Sequence, residues 1–177
     1  MKLLLAAVAF AAAAMATPMA FAQTSRAPGE LLDRISGTWV LEGTIAGKQT
    51  THDVVGTSVL NGQYVQLHEV SHDLDVHGRP VYEALVYLTW EDSRGEYSCL
   101  WLDSTSNAGL SNGVRGRAKP SGDEIALTFT YPSGQMFHTT LAYDRAADKW
   151  QWRMDDEEKG HRVPFARMVM RHRQPEK

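Results

Sequence analysis

Two groups of side chains in this sequence have the types from which chemistry is built. The first runs from His68-Glu69 through His72-Asp73 to Asp75 and His77, imidazoles and carboxylates of the kind that hold zinc. Along a strand, residues four apart are separated by about 13 Å, too far for His68 and His72 to share one ion. Lining of an interior by Gln66 and His68, with His72 and His77 exposed near a hairpin end, needs fewer assumptions, and no metal is expected. The second group is Tyr97, Cys99, Trp101 and Asp103, which alternate along one strand face. A carboxyl buried against an indole has a raised pKa and can donate a proton or anchor a ligand. Asp103 and Ser104 can equally end their strand by bonding local amides. Cys99, the one cysteine, reads as a buried inert thiol and leaves the fold without an internal disulfide.

The apolar pattern that must position these groups has period two. Trp39, Leu41, Gly43 and Ile45 alternate with polar neighbours, as do Tyr82, Ala84, Val86, Leu88 and Trp90. The pattern returns in Ile125, Leu127, Phe129 and Tyr131, and in Trp150, Trp152 and Met154. Turn signals separate the runs: Ala46-Gly47, Asn61-Gly62, His77-Gly78-Arg79-Pro80, Asp92-Ser93-Arg94-Gly95, Ser121-Gly122, Pro132-Ser133-Gly134 and Lys159-Gly160. This spacing predicts an all-β domain, a single up-and-down antiparallel barrel of about ten strands whose first and last strands pair to close it. One helix is expected between Pro28 and Ser36, where Leu31, Leu32 and Ile35 share a face suited to lie across a barrel mouth.

Residues 1–22 read as an export signal: Lys2, an apolar run from Leu3 to Met15, and Ala20-Phe21-Ala22 as the cleavage site before Gln23. The apolar run is shorter than a bilayer requires. The expectation is a periplasmic or secreted protein without membrane insertion, made of an N-terminal segment with a short helix (23–35) and a barrel domain (36–173). About 155 of the 177 residues would then remain, enough for one core. A net charge of −3 argues against a nucleic-acid surface. Arg115, Arg117 and Lys119 form the densest basic stripe, and Asp155 to Glu158 reads as a solvated hairpin end.

Gly37-Thr38-Trp39 resembles the Gly-x-Trp signature of the lipocalin and wider calycin barrels. Leu60-Asn61-Gly62-Gln63-Tyr64-Val65, then Leu88-Thr89-Trp90-Glu91-Asp92, then Tyr97 to Ser104 resemble in order the bacterial domain of unknown function family 1579. The resemblance covers most of the chain after the export signal and implies a calycin-like barrel without an agreed activity. It also implies that Trp39 closes the barrel floor under a cation of the last strand, Arg171 or Arg173. Barrels of the nitrobindin type begin similarly and ligate haem by histidine. His161 falls in a turn and His172 near the chain end, neither in an apolar strand interior, so no cofactor is expected.

These readings rank an exported barrel that binds a small apolar or amphipathic molecule first, with Tyr64, His68, Tyr97, Trp101, Asp103 and Trp152 as the candidate ligand contacts. An enzyme using Asp103 and His68 in the interior is the second reading, and a cavity-free interaction module the third. A cavity of a few hundred cubic ångströms separates the first two from the third. The sequence leaves ligand identity, catalysis and oligomeric state open.

Overall fold

The computed structural model describes residues 29–105 and 114–174; residues 1–22, expected as an export signal, lie outside them. A short helix, α1 (Gly29–Ile35), precedes β1 (Gly37–Ile45), β2 (Lys48–Val59), β3 (Tyr64–Ser71), β4 (Glu83–Glu91) and β5 (Glu96–Asp103). Then follow β6 (Val114–Ala118), β7 (Glu124–Thr130), β8 (Met136–Asp144), β9 (Lys149–Glu158) and β10 (His161–His172). Each strand pairs antiparallel with its sequence neighbour, and β10 pairs with β1, so the ten strands close into an up-and-down barrel. The predicted alternation is the one observed: Ile125, Leu127 and Phe129 are buried on β7, and Trp150, Trp152 and Met154 on β9.

The two ends of the barrel differ. At the lower end α1 buries Leu31, Leu32 and Ile35 in the core, and Glu30 ties the helix to the rest of the chain through Arg145 at 2.8 Å. The Ile35 carbonyl lies only 2.4 Å from where a Cβ on Gly56 would sit, so that β2 glycine permits the helix end to rest on the sheet. Trp39 is fully buried there, its Nε1 donating to the Ile35 carbonyl at 3.0 Å. The ring that covers it is His172, stacked at 3.8 Å between centroids and directly opposite Trp39 in the β1–β10 register. The expected cation is thus corrected: Arg171 points to the outer face near Glu42, at 3.8 Å, because the alternation of β10 sends neighbours to opposite faces.

The upper end is shaped by two local departures from regularity. Gly116 on β6 leaves room for the Phe129 ring, which would stand 2.6 Å from an added Cβ. On β10 the register shifts between Pro164 and Ala166, so Phe165 is an extra residue, a bulge at the point where proline lacks a ladder N–H. Phe165 packs edge-on against Phe137, with centroids 5.5 Å apart.

Outside the barrel the basic stripe is largely matched. Glu96 meets Arg117 at 3.0 Å and Lys119 at 3.2 Å, with Arg94 further off at 3.9 Å. The Lys119 ammonium foremost, then the two guanidinium groups, hold the Glu96 carboxyl below its usual range. A carboxyl lowered on folding contributes stability that is present above its unfolded pKa and lost as pH falls through the folded one. Glu96→Gln is therefore expected to flatten the acid limb of the stability curve below about pH 4 while leaving the neutral region least dependent on pH, measured by urea melts across pH.

Candidate functional site

The upper half of the barrel encloses a cavity of about 480 Å³, at the end opposite Trp39 and α1. Its apolar wall is Trp101, Val114, Phe129, Phe137, Met154 and Phe165. Trp101 stands edge-on to both Phe129 and Trp152, at 6.2 and 5.7 Å between centroids. Its Nε1 donates to the Tyr82 hydroxyl at 3.1 Å, which sets the indole plane. The exposed residues Ala46, Lys48, Val81 and Thr105 form the rim, so the cavity opens to solvent there.

Opposite the aromatic wall lies a buried polar row from β2 and β3. His52 and Glu69 are 2 % and 1 % exposed, and Nδ1 of the imidazole donates to Glu69 Oε1 at 2.5 Å. The other ring nitrogen meets Thr50 Oγ1 at 3.0 Å, so hydroxyl, imidazole and carboxylate form one connected chain on the cavity wall. Such buried groups are tolerable only when bonded to one another. Tyr82 lies over the His52 ring at 5.7 Å. Burial first, then the Glu69 charge, push its hydroxyl far above the usual phenol range, so it stays a neutral O–H. Burial, then the charges of Asp103 and Asp156, raise Tyr131 as well.

Of the six residues expected to contact a ligand, Trp101 and Asp103 line the cavity. Asp103 does so while ending its strand as expected, its Oδ1 accepting from the Thr105 amide at 2.9 Å. Trp152 and Tyr97 are buried in the core: Trp152 backs Trp101, and Tyr97 packs against Trp90 at 5.1 Å. Tyr64 and His68 lie on the opposite face of β3 from Val65 and Leu67, which are buried. His68 bonds Glu83 at 2.7 Å, both largely exposed, so the pairing of His68 with Asp103 is overturned. Cys99 is buried, and burial pushes its thiol well up, as an inert core residue requires.

Two pattern matches need their structural context. Residues 68–72 spell His-Glu-x-x-His, which binds zinc when a helix puts both histidines on one side with the glutamate beside them. Here residues 68–71 lie on β3 with His72 just past its end, and the motif is split: His68 and His72 bond Glu83 and Asp53 on the outside, while Glu69 lines the cavity. Among the described residues no cluster of histidine, cysteine and carboxylate side chains could hold a metal ion. Gly-x-Ser-x-Gly occurs at 109–113, which lie outside the described residues. His172, one of the two histidines weighed for haem, is taken up by Trp39 and by Asp148 at 3.2 Å, and His161 is exposed. His138 faces outward and is covered by Thr128, Glu157 and Arg162.

Among the cavity residues that sequence reasoning missed are His52, Glu69, Tyr82 and Thr139. Their signal lay in the strand pairing: His52 stands opposite the buried Leu41, and Glu69 follows Val65 and Leu67 at spacing two. No family model matches the chain, and no curated protein matches it. Among solved structures, the crystal structure of Rv2717c from M. tuberculosis is similar, with a TM-score of 0.54 and 15% sequence identity over 84% of this chain and 99% of that one. At that identity the likeness is one of fold: this chain is similar to Rv2717c as a closed antiparallel barrel.

Proposed function

We propose that this chain is an exported barrel that binds a small apolar or amphipathic molecule in its upper cavity, and that it is related to family 1579 of bacterial domains of unknown function. The observation that carries the binding reading is the cavity itself: about 480 Å³, walled by aromatic rings and provided with a few convergent polar groups. That volume and that mixture are what small-molecule sites have, whereas a cavity-free interaction module would fill the space with side chains. The lower half of the barrel already supplies a packed core of Leu, Ile, Met and Trp. Export is supported by residues 1–22, whose charge, apolar run and small-residue site have the order of a signal peptide.

Protein purified from the exported soluble fraction, with a mature N-terminus expected at Gln23, provides the test. Titration with a panel of aromatic and alkyl amines, alcohols and acids should change tryptophan emission for at least one compound, because Trp101 borders the cavity. Trp101→Phe should remove most of that change with affinity reduced by no more than about tenfold, since one ring replaces another. Absence of any response across the panel, in fluorescence and in calorimetry, would reject the binding reading.

A further inference from the structure

The polar equipment of the cavity is unbalanced in sign and in hydrogen bonding. Among the described residues three carboxylates line it, Glu69, Asp73 and Asp103, against the ammonium of Lys48 and the imidazole of His52. Glu69 spends one oxygen on His52; the other, Oε2, is buried and has no hydrogen-bond partner among the described residues. Across the barrel, Thr139 on β8 also lines the cavity, 1 % exposed, with its Oγ1 equally without a partner. Native proteins leave few buried polar atoms unbonded, and those they leave ask for an explanation. Both of these atoms can accept a hydrogen bond, and a buried carboxylate oxygen can only accept one. The Thr139 hydroxyl can also donate, so it is the Glu69 oxygen that requires an occupant bringing a donor.

The sign of the lining narrows the donor. With His52 protonated or neutral, the lining carries an excess of negative charge, which repels an anionic head and attracts a cationic one. A carboxylate ligand would meet Glu69 in a water-poor enclosure where like charges interact most strongly. An ammonium bears three donors and no acceptor, which suits an oxygen-lined end beside a face of Trp101, Phe129 and Phe137.

We infer that the cavity selects an amphipathic organic amine, its protonated nitrogen on Glu69 Oε2 and its apolar or aromatic body against the Trp101 wall. This rests on the binding reading above and specifies its ligand class.

Three compounds with one body and different heads test it: naphthylethylamine, naphthylethanol and naphthylacetate, titrated calorimetrically into the mature protein. The amine is expected to bind at least about tenfold more tightly than the alcohol, and the acetate most weakly, since a desolvated opposite charge is gained in one case and a like charge met in the other. Glu69→Gln should weaken the amine on the order of 30-fold while changing the alcohol by less than about threefold. Should Glu69→Gln fail to fold, Asp73→Asn at the exposed rim serves instead, with a loss of about threefold expected for the amine and a gain for the acetate. Equal affinities for the three heads, or preference for the acetate, would overturn the amine assignment while leaving a binding barrel. Binding of none of the three, with a panel alcohol or acid bound and no panel amine, would overturn it too. Silence of every compound would remove the binding reading with it.

Discussion

Trp39→Ala is expected to destabilise the barrel by about 3–5 kcal/mol, the range for deletion of a fully buried aromatic ring. Three consequences of the substitution add up at one place. The core loses the indole at the floor, the Ile35 carbonyl loses its donor at 3.0 Å, and His172 loses the ring on which it stacks. Because Ile35 ends α1 and His172 ends β10, the one side chain joins the helix to the seam where the first and last strands meet. The melting temperature should fall by roughly 10 °C for a domain of this size. Trp39→Phe separates the contributions: it keeps most of the apolar area and should cost about 1–3 kcal/mol, chiefly for the unpaired carbonyl. Loss of the upper cavity in Trp39→Ala at a temperature where the fold persists is not expected, since cavity and floor lie at opposite ends. A change in melting temperature of only a degree or two in Trp39→Ala would show that the seam is held without it.

The barrel was legible because most of its interior is written in apolar residues. Ile125, Leu127 and Phe129, or Trp150, Trp152 and Met154, admit one inward face, and short turns leave one simple order of strands. The cavity was legible where that pattern runs on into polar residues, as from Tyr97 and Cys99 to Trp101 and Asp103. It was obscured on β3, where the outer face carries Tyr64, Gln66 and His68 and the inner face carries one titratable group, Glu69. There Tyr64 and His68 attract attention by chemical type, while Val65 and Leu67 decide the inward face and bring Glu69 with them. A strand's inward face at the open end is set by its own closed end, through the strict alternation of the pleat. Phe165 could not be placed by alternation at all, because the bulge at Pro164 resets it. The stacking partner of Trp39 was displaced by one residue for the same reason of parity: Arg171 and His172 face opposite ways.

His52→Ala is expected to cost about 3–5 kcal/mol, as much as Trp39→Ala, for an electrostatic reason. The imidazole and the Glu69 carboxylate are almost wholly out of water, with side chains 3 % and 2 % exposed. Deleting one partner leaves the other charged and buried without its bond, which is far worse than never burying the pair. The double replacement His52→Leu with Glu69→Leu should therefore recover stability to within about 1 kcal/mol of the parent, or exceed it, since apolar residues of similar volume avoid both desolvation costs. Denaturant melts of the single and double variants form the cycle. If the double variant is as unstable as His52→Ala, the pair holds β2 to β3 and its presence needs no ligand. If it is as stable as the parent yet binds no amine, stability does not explain two buried polar side chains on a cavity wall. Their retention then follows from what the unpartnered Glu69 oxygen bonds inside the cavity, and the polar row belongs to recognition.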